Sequence, residues 1–272
     1  DRIKGLGLAL VLGAPLLAAI LAFFQYAGPL AWLYCWLAVT LFTLALQFIA
    51  PMWVMPLFNK FTPMEPGELK RAIIEYARSV DFTLSNIYVM DGSKRSSHSN
   101  AFFTGFGRSR RIALFDTLIE RQTTPEVVAV LAHEIGHYKK RHILQNMVIG
   151  TLHAGLLFFL LSVFLNSTGL HDAFYMEERS IYAGLLFFAL LYTPIELVIS
   201  TAMQMVSRRH EYEADRWAAA TIQDPQTLVA GLKKLAADNL SNLAPHPFYA
   251  FLNYSHPPLP HRVEAVQREA AR

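Results

Sequence analysis

Four long apolar runs govern what this chain can fold into. Residues 6–26, 30–55 and 147–165 contain no Asp, Glu, Lys or Arg, and residues 181–206 contain only Glu196. A membrane-spanning helix needs about 20 predominantly apolar residues, and each run comes close to that length or exceeds it. Buried core helices are the alternative. Runs this long with so little charge fit lipid better than the inside of a soluble domain. The composition agrees: of 272 residues, 53% are hydrophobic and 17% charged, a balance that belongs to the membrane class.

The charges beside these runs set an orientation. Arg2 and Lys4 precede the first run, and the loop 25–29 has no Lys or Arg. Lys60, Lys70 and Arg71 follow the second run, and Lys139, Lys140 and Arg141 precede the third. The loop 171–179 carries Asp172, Glu177 and Glu178 against one arginine, and Arg208 and Arg209 close the fourth run. Basic flanks face the cytoplasm, so residues 61–142 and 207–272 share the cytoplasmic side and can build one site. The net charge of +3 is small, and its basic residues read as topology signals, so no nucleic-acid partner is expected. The lone Cys35 lies inside an apolar run and reads as structural. A chain that opens at Asp1 is expected to be a fragment or a processed product. No secretory signal peptide is read, because the first run is too long and no small-residue cleavage site follows it.

The organisation expected is two spans over 1–58, a first catalytic block over 59–145, two more spans over 146–206, and a second block over 207–272. In the first block, Pro66 and Glu68 followed by Leu69, Ile73, Ile74, Ala77 and Val80 predict an amphipathic helix. NIYVM, NAFFTGF and RRIALFD predict short strands of a small sheet. In the second block, Asp224-Pro225 signals a helix start. Pro245, Pro247, Pro257, Pro258 and Pro260 are expected to break up a loop before a last short helix. The fold class is mostly α: multi-spanning membrane helices with a cytosol-facing domain that carries a small β-sheet.

The chemical signal is VLAHEIGHYKKRH, residues 130–142. Upstream, Thr124-Pro125-Glu126 combines a capping hydroxyl, a first-turn proline and an acid near the positive helix end. On that helix His133 and His137 project from one face, one turn apart. Two such imidazoles can bind one Zn2+ at about 2.0–2.1 Å. Glu134 is rotated off that line and is placed to take a proton from water rather than to ligate. Gly136 costs about 1 kcal/mol in a helix interior, so its presence predicts a need for space there. A chance match on a polar helix face is the competing reading. The apolar Val127, Val128, Val130, Leu131 and Ile135 argue instead for a partly buried site, where histidines need partners.

A catalytic site needs a third ligand and leaves the fourth position to water. His142 is near in sequence, but a continuing helix would carry it past the site, and no glycine follows His137 to turn the chain. RRHEYEADRWAA, residues 208–219, is the better source. Glu211 and Asp215 are four apart on one helical face. Glu211 is the expected ligand, and Asp215 the acceptor for the free ring nitrogen of a ligand histidine. An ordinary charged face remains the alternative for both. Glu213 points elsewhere and reads as a solvated partner of Arg209 or Arg216. Glu196, beside Pro194, should face a cavity or a partner, or form a structural hydrogen bond at the proline. His153 is a similar, weaker case.

HEIGH, NAFFTGFGRSRRIALFDTLIE, RRHEYEADRWA and NYSHPPLPHRVEAV occur in this order. Together they resemble the type I CAAX prenyl endopeptidase family of integral-membrane zinc metallopeptidases. Heat-shock-type membrane metallopeptidases share the histidine motif and a similar glutamate block, but FDTLIE and SHPP sit closer to the prenyl-protease branch. The resemblance implies helices around a large hydrated chamber that holds one zinc ion on its cytosol-facing side. It implies His133, His137 and Glu211 as zinc ligands and Glu134 as the catalytic glutamate. It implies His256 and Arg262 near the reacting peptide, and Asn100 and Ala101 as the strand segment that lines up substrate. It also implies about seven spanning helices against the four read here, so the others would lie before Asp1.

The expected function is hydrolysis of a peptide bond near the C-terminus of prenylated CAAX proteins or related substrates. His256, helped by Arg262, would donate to the oxyanion, and the NAFF segment would offer a strand edge to an extended peptide. A quality-control protease for misfolded membrane proteins, and a zinc-stabilised scaffold or chaperone without turnover, are the competing functions. Glu134 argues against the scaffold, since structural zinc needs no base. The expected partners are a peptide or protein substrate, lipidated or not, and the lipid bilayer. A bacterial inner membrane is preferred over the endoplasmic reticulum, because no ER-retention ending is read.

Overall fold

The computed structural model describes residues 1–94, 99–104, 111–175 and 180–271. The end of the NAFFTGF reading, the first residue of RRIALFD and the charges Glu177, Glu178 and Arg179 lie outside the described residues. In chain order the elements are α1 (Arg2–Tyr26), α2 (Ala31–Ile49), α3 (Met55–Phe58), β1 (Phe61–Pro63), α4 (Glu68–Ser79) and β2 (Asn86–Met90). Then come β3 (Ala101–Thr104), β4 (Arg111–Phe115), α5 (Asp116–Arg121), α6 (Thr124–Lys139), α7 (His142–Asn166) and α8 (Thr168–Ala173). The chain ends with α9 (Ile181–Thr221), α10 (Pro225–Asp238), α11 (Pro247–Asn253) and α12 (Leu259–Ala270).

Among the described residues, four helical stretches are long and apolar enough to cross a membrane: Arg2–Tyr26, Gly28–Phe58, His142–Asn166 and Ile181–Thr221. Between α1 and α2 the chain reverses at Gly28, whose φ of +62° is a left-handed value that glycine adopts without steric cost. Pro51 has no N–H to give, and the second span loosens into a π turn over Ala50–Val54.

The chain forms two compact units. One comprises residues 1–49 and 145–199, the other residues 50–144 and 200–272. In the first, Cys35, Phe158, Leu161, Phe188 and Tyr192 form the buried cluster. The Trp36 indole donates to the Thr151 carbonyl at 2.8 Å. It lies against Gly155, where a Cβ would come within 3.2 Å of the ring, so the glycine admits the indole. Glu196 has a partner on another helix: His153 Nε2 lies 2.9 Å from its Oε2 and 3.1 Å from the Tyr192 hydroxyl. A carboxylate in an apolar run is thereby matched across α7 and α9.

In the second unit a four-stranded sheet has the order β1-β2-β4-β3. β2 and β4 run parallel, with Asn86 opposite Arg111 and Met90 opposite Phe115. β1 and β3 are the antiparallel edges. Ile73, Ile112, Leu114, Leu118, Leu131, Ile135 and Leu228 fill one core between sheet and helices. α6 crosses it, buried along Val127, Ala129, Leu131, Ala132 and Ile135, with α4 and α10 packed against it.

Four local expectations need correction. The fourth span and the helix of the EYEAD block are not separate elements: the apolar run ends at Val206, but α9 continues without a break to Thr221, because Ser207–Thr221 keeps strong helix formers and no proline. The cap of α6 is Thr123 rather than Thr124; its N–H meets Glu126 Oε2 at 2.8 Å, which puts the glutamate at the third helical position. Pro247 opens α11 instead of breaking a loop, since a first-turn proline lacks only an N–H that would have no helical partner. The edge strand β1 carried no alternating pattern of its own; backbone pairing with β2 defines it.

Candidate metal centre

α6 is fixed before it reaches the site. Lys234 Nζ lies 2.6 Å from Glu126 Oε2 and Gln122 Nε2 donates to the Gly231 carbonyl at 3.2 Å, so α10 clamps the helix start. Burial would raise the Glu126 carboxyl, but Lys234 and the Thr123 hydrogen bonds outweigh it and hold its pKa below the ordinary value. Farther along, Gly136 lies against α9: a Cβ there would sit 3.1 Å from Ala214 Cα, from Ala214 O and from Trp217 Cβ. The space that the glycine leaves is filled by the backbone of the helix that carries the acidic residues.

That approach brings Glu211 to the two histidines. Donor atoms of His133, His137 and Glu211 all lie within 4.8 Å of one another. His133 Nε2 and His137 Nε2 are 3.1 Å apart. His137 Nε2 is 3.3 Å from Glu211 Oε1, and His133 Nε2 is 3.5 Å from Glu211 Oε2. Ligand bonds of about 2.0–2.1 Å in a tetrahedron place donors roughly 3.3–3.4 Å apart. The imidazole pair at 3.1 Å and the approach of His137 to Glu211 Oε1 at 3.3 Å lie near that value, while His133 comes closest to the other oxygen of Glu211. Glu211 Oε2 is also buried without a hydrogen-bond donor, although Arg262 Nη1 lies 3.3 Å away. A buried carboxylate beside two converging imidazoles fits a cation.

The other polar groups hold this triangle. Asp215 is 1% exposed, and its Oδ1 lies 2.8 Å from His133 Nδ1. Arg262 grips Asp215 in a fork, Nε to Oδ2 at 2.7 Å and Nη2 to Oδ1 at 2.6 Å. Its Nη2 is also 3.3 Å from His133 Nδ1. Burial would lower Arg262, but the Asp215 and Glu211 carboxylates hold it above the ordinary guanidinium range. Burial alone would lower His133 too; hydrogen bonds with Asp215 and Glu211 outweigh it and carry its pKa up to about 9. A metal would compete with that proton. Glu134 is raised above the usual carboxylate range, first by burial, with the His133 and His137 charges opposing. A shift in that direction suits a group that must accept and return a proton.

His256 comes from the loop before α12. Arg208 Nη1 donates to the Tyr254 carbonyl at 2.5 Å and thereby ties this loop to α9, one turn before Glu211. His256 Nε2 lies 3.4 Å from Glu211 Oε1, with its side chain largely exposed at the rim. Asn100 leads into β3, which packs beside α6, the helix that carries both histidines; Asn100 and Ala101 are not among the three donors that converge. The Asn100 carbonyl accepts from Phe115 N at 3.0 Å, and its Oδ1 accepts from Ala101 N at 2.8 Å.

One expectation about this region is overturned. α6 does not carry His142 past the site. The helix ends at Lys139, Arg141 takes a left-handed φ of +60° without being glycine, and α7 begins at His142. The turn places His142 Nδ1 3.0 Å from His137 Nδ1 and its Nε2 3.2 Å from Glu213 Oε2. Glu213 also meets Arg209 at 2.8 Å, the ion pair read from the sequence. No turn residue between His137 and His142 signalled this return, so sequence reasoning missed the contact.

Comparison with known proteins adds an independent line. The family model of Peptidase family M48 matches residues 63–270. A second, described as CAAX prenyl protease N-terminal, five membrane helices, matches residues 1–60. A CAAX prenyl protease 1 homolog of Oryza sativa is 39% identical over 268 residues, covering 98% of this chain and 63% of its own. CAAX prenyl protease 1 of Saccharomyces cerevisiae is 40% identical over 285 residues, covering 98% and 62%. The crystal structure of S. mikatae Ste24p superposes with a TM-score of 0.89 at 39% identity, over 98% of this chain and 65% of that one. The chain thus spans a little under two thirds of the length of the curated relatives it matches.

Proposed function

The chain belongs to peptidase family M48, and from that footing we propose that it is a membrane zinc metalloendopeptidase that cuts near the C-terminus of prenylated CAAX proteins. One observation carries the reading: two imidazoles and one carboxylate from α6 and α9 converge with donor atoms within 4.8 Å of one another, with a second carboxylate, Glu134, beside them but outside the triangle. Three protein donors leave a position open, as catalytic zinc requires and structural zinc does not. When bound, one zinc ion would supply a Lewis acid for the scissile carbonyl and a lowered pKa for the attacking water.

The chain's own residues do the rest. Glu134, its carboxyl raised by burial, takes the proton of the water and delivers it to the leaving amine. His256, at the rim, donates to the oxyanion of the substrate. Arg262 has its Nε and Nη2 engaged by Asp215 and its Nη1 directed at Glu211. Its proposed role is therefore to hold the ligands in place, and the oxyanion falls to His256 alone. Among the described residues β3 is an edge strand that pairs with β4 alone. An extended peptide could add beside Ala101–Thr104, its carbonyl replacing Asn100 Oδ1 on the Ala101 N–H. The proposed membrane is one whose cytosolic face bears the second unit, since basic residues flank the spans on that side. The relatives named above are eukaryotic, which gives a bacterial inner membrane no support.

The test uses the purified protein in lipid nanodiscs, a farnesylated CAAX peptide and its unprenylated twin. The farnesylated peptide should be cleaved faster, and Glu134→Gln should abolish cleavage while zinc stays bound. Undiminished turnover by Glu134→Gln would remove the base from the mechanism, and equal cleavage of the two peptides would remove prenyl specificity.

A further inference from the structure

We propose that His142 and Glu213 form a hydrogen-bonded strut that fixes the tautomer and ring orientation of the ligand His137. The inference rests on the metal-centre reading above. His137 turns Nε2 toward His133 and Glu211, so Nε2 is its ligating atom. A neutral imidazole carries one N–H, and ligation through Nε2 puts that hydrogen on Nδ1. His137 Nδ1 lies 3.0 Å from His142 Nδ1, which must then be the acceptor. The hydrogen of His142 is accordingly on Nε2, where it faces Glu213 Oε2 at 3.2 Å. Every proton along Glu213, His142 and His137 is assigned, and the chain runs in one direction only.

The surroundings hold this strut still. His142 is 1% exposed, and its ring stacks on His210 with centroids 4.0 Å apart and planes 11° apart. The second oxygen of Glu213 is taken by Arg209 Nε at 2.8 Å. α9 thus serves both histidines from alternate positions. Glu211 and Asp215 are one turn apart on one side of the helix, and Asp215 touches His133 directly. Glu213 is rotated by about 200° from Glu211 and needs an intermediary to reach His137. His142, returned to the site by the left-handed Arg141, fills that gap.

The test is zinc affinity, measured by chelator competition on the detergent-purified protein, beside the thermal midpoint of each variant stripped of metal. His142→Phe keeps a ring against His210 and removes the acceptor. It should lower zinc affinity about 10–100-fold, as loss of an outer partner of a ligand histidine does, with little change in the midpoint. His142→Asn returns an oxygen near the position of Nδ1 and should recover most of the loss. Glu213→Met, which removes the acceptor, should cost about 10-fold, at the lower end of that range, and should cost nothing further when added to His142→Phe. Cobalt substituted at the site should show a shifted visible spectrum in His142→Phe and not in His142→Asn. Equal impairment of the Phe and Asn variants, or wild-type affinity in His142→Phe, would overturn the strut. If His142→Phe does not fold, an unchanged affinity in Glu213→Met overturns it alone. Failure of the unaltered protein to bind zinc would instead overturn the metal-centre reading itself.

Discussion

Replacing Gly136 by alanine should cost this protein its metal before it costs the fold. A Cβ at that position would sit 3.1 Å from Ala214 Cα, Ala214 O and Trp217 Cβ. Carbon atoms prefer roughly 3.5–4.0 Å, so α9 would have to retreat by roughly 0.4–0.9 Å. Two of the three atoms are backbone and cannot turn aside as a side-chain tip can. Overpacking of this kind costs about 1–3 kcal/mol. Alanine returns about 1 kcal/mol of helix propensity, which leaves a net loss of about 0–2 kcal/mol, small enough for the variant to fold. The metal centre is less tolerant. Glu211 is three residues from Ala214 on α9, and ligand distances must hold within about 0.2 Å. Zinc competition and thermal unfolding, run side by side on Gly136→Ala, separate the two effects. The expected result is a thermal midpoint lowered by a few degrees at most and zinc affinity lowered at least 10-fold. Unchanged zinc affinity would refute the argument, since it would show that α6 and α9 need no such close approach to assemble the donors.

Two other changes test neighbouring claims. Arg262→Met strands Asp215 without its forked partner in a buried site, and such breakage costs about 3–5 kcal/mol; chemical unfolding should show it, and Arg262→Lys should rescue only part, because lysine cannot make the fork. Glu126→Gln should destabilise by about 1 kcal/mol at pH 7, the scale of a lost cap, since Lys234 is nearly half exposed and its ion pair is screened. The folded pKa of Glu126 is depressed, so this contribution is present above its unfolded value of about 4.3 and is lost as pH falls through the folded value. Unfolding curves of the two proteins should therefore differ at pH 7 and converge below about pH 4; a gap that stays constant across that range would rule out the linkage.

The amino-acid sequence was sufficient for whatever depends on local periodicity. Apolar runs of spanning length with almost no charge marked the candidate membrane helices, and α4 and the strands β2 and β4 were written in apolar spacing. The i,i+4 spacing put His133 beside His137, and the same rule put Glu211 beside Asp215. Tertiary structure alone decided how these pairs meet. Nothing in the spacing showed that Gly136 is the point where α9 presses on α6, or that Arg262 spends its guanidinium on Asp215. Nor did it show that a left-handed arginine turns His142 back under His137. Helical periodicity is a property of a few adjacent residues, whereas a metal centre is fixed by the distance between ligands on two helices, His137 and Glu211, more than seventy residues apart in sequence, and only packing sets that distance.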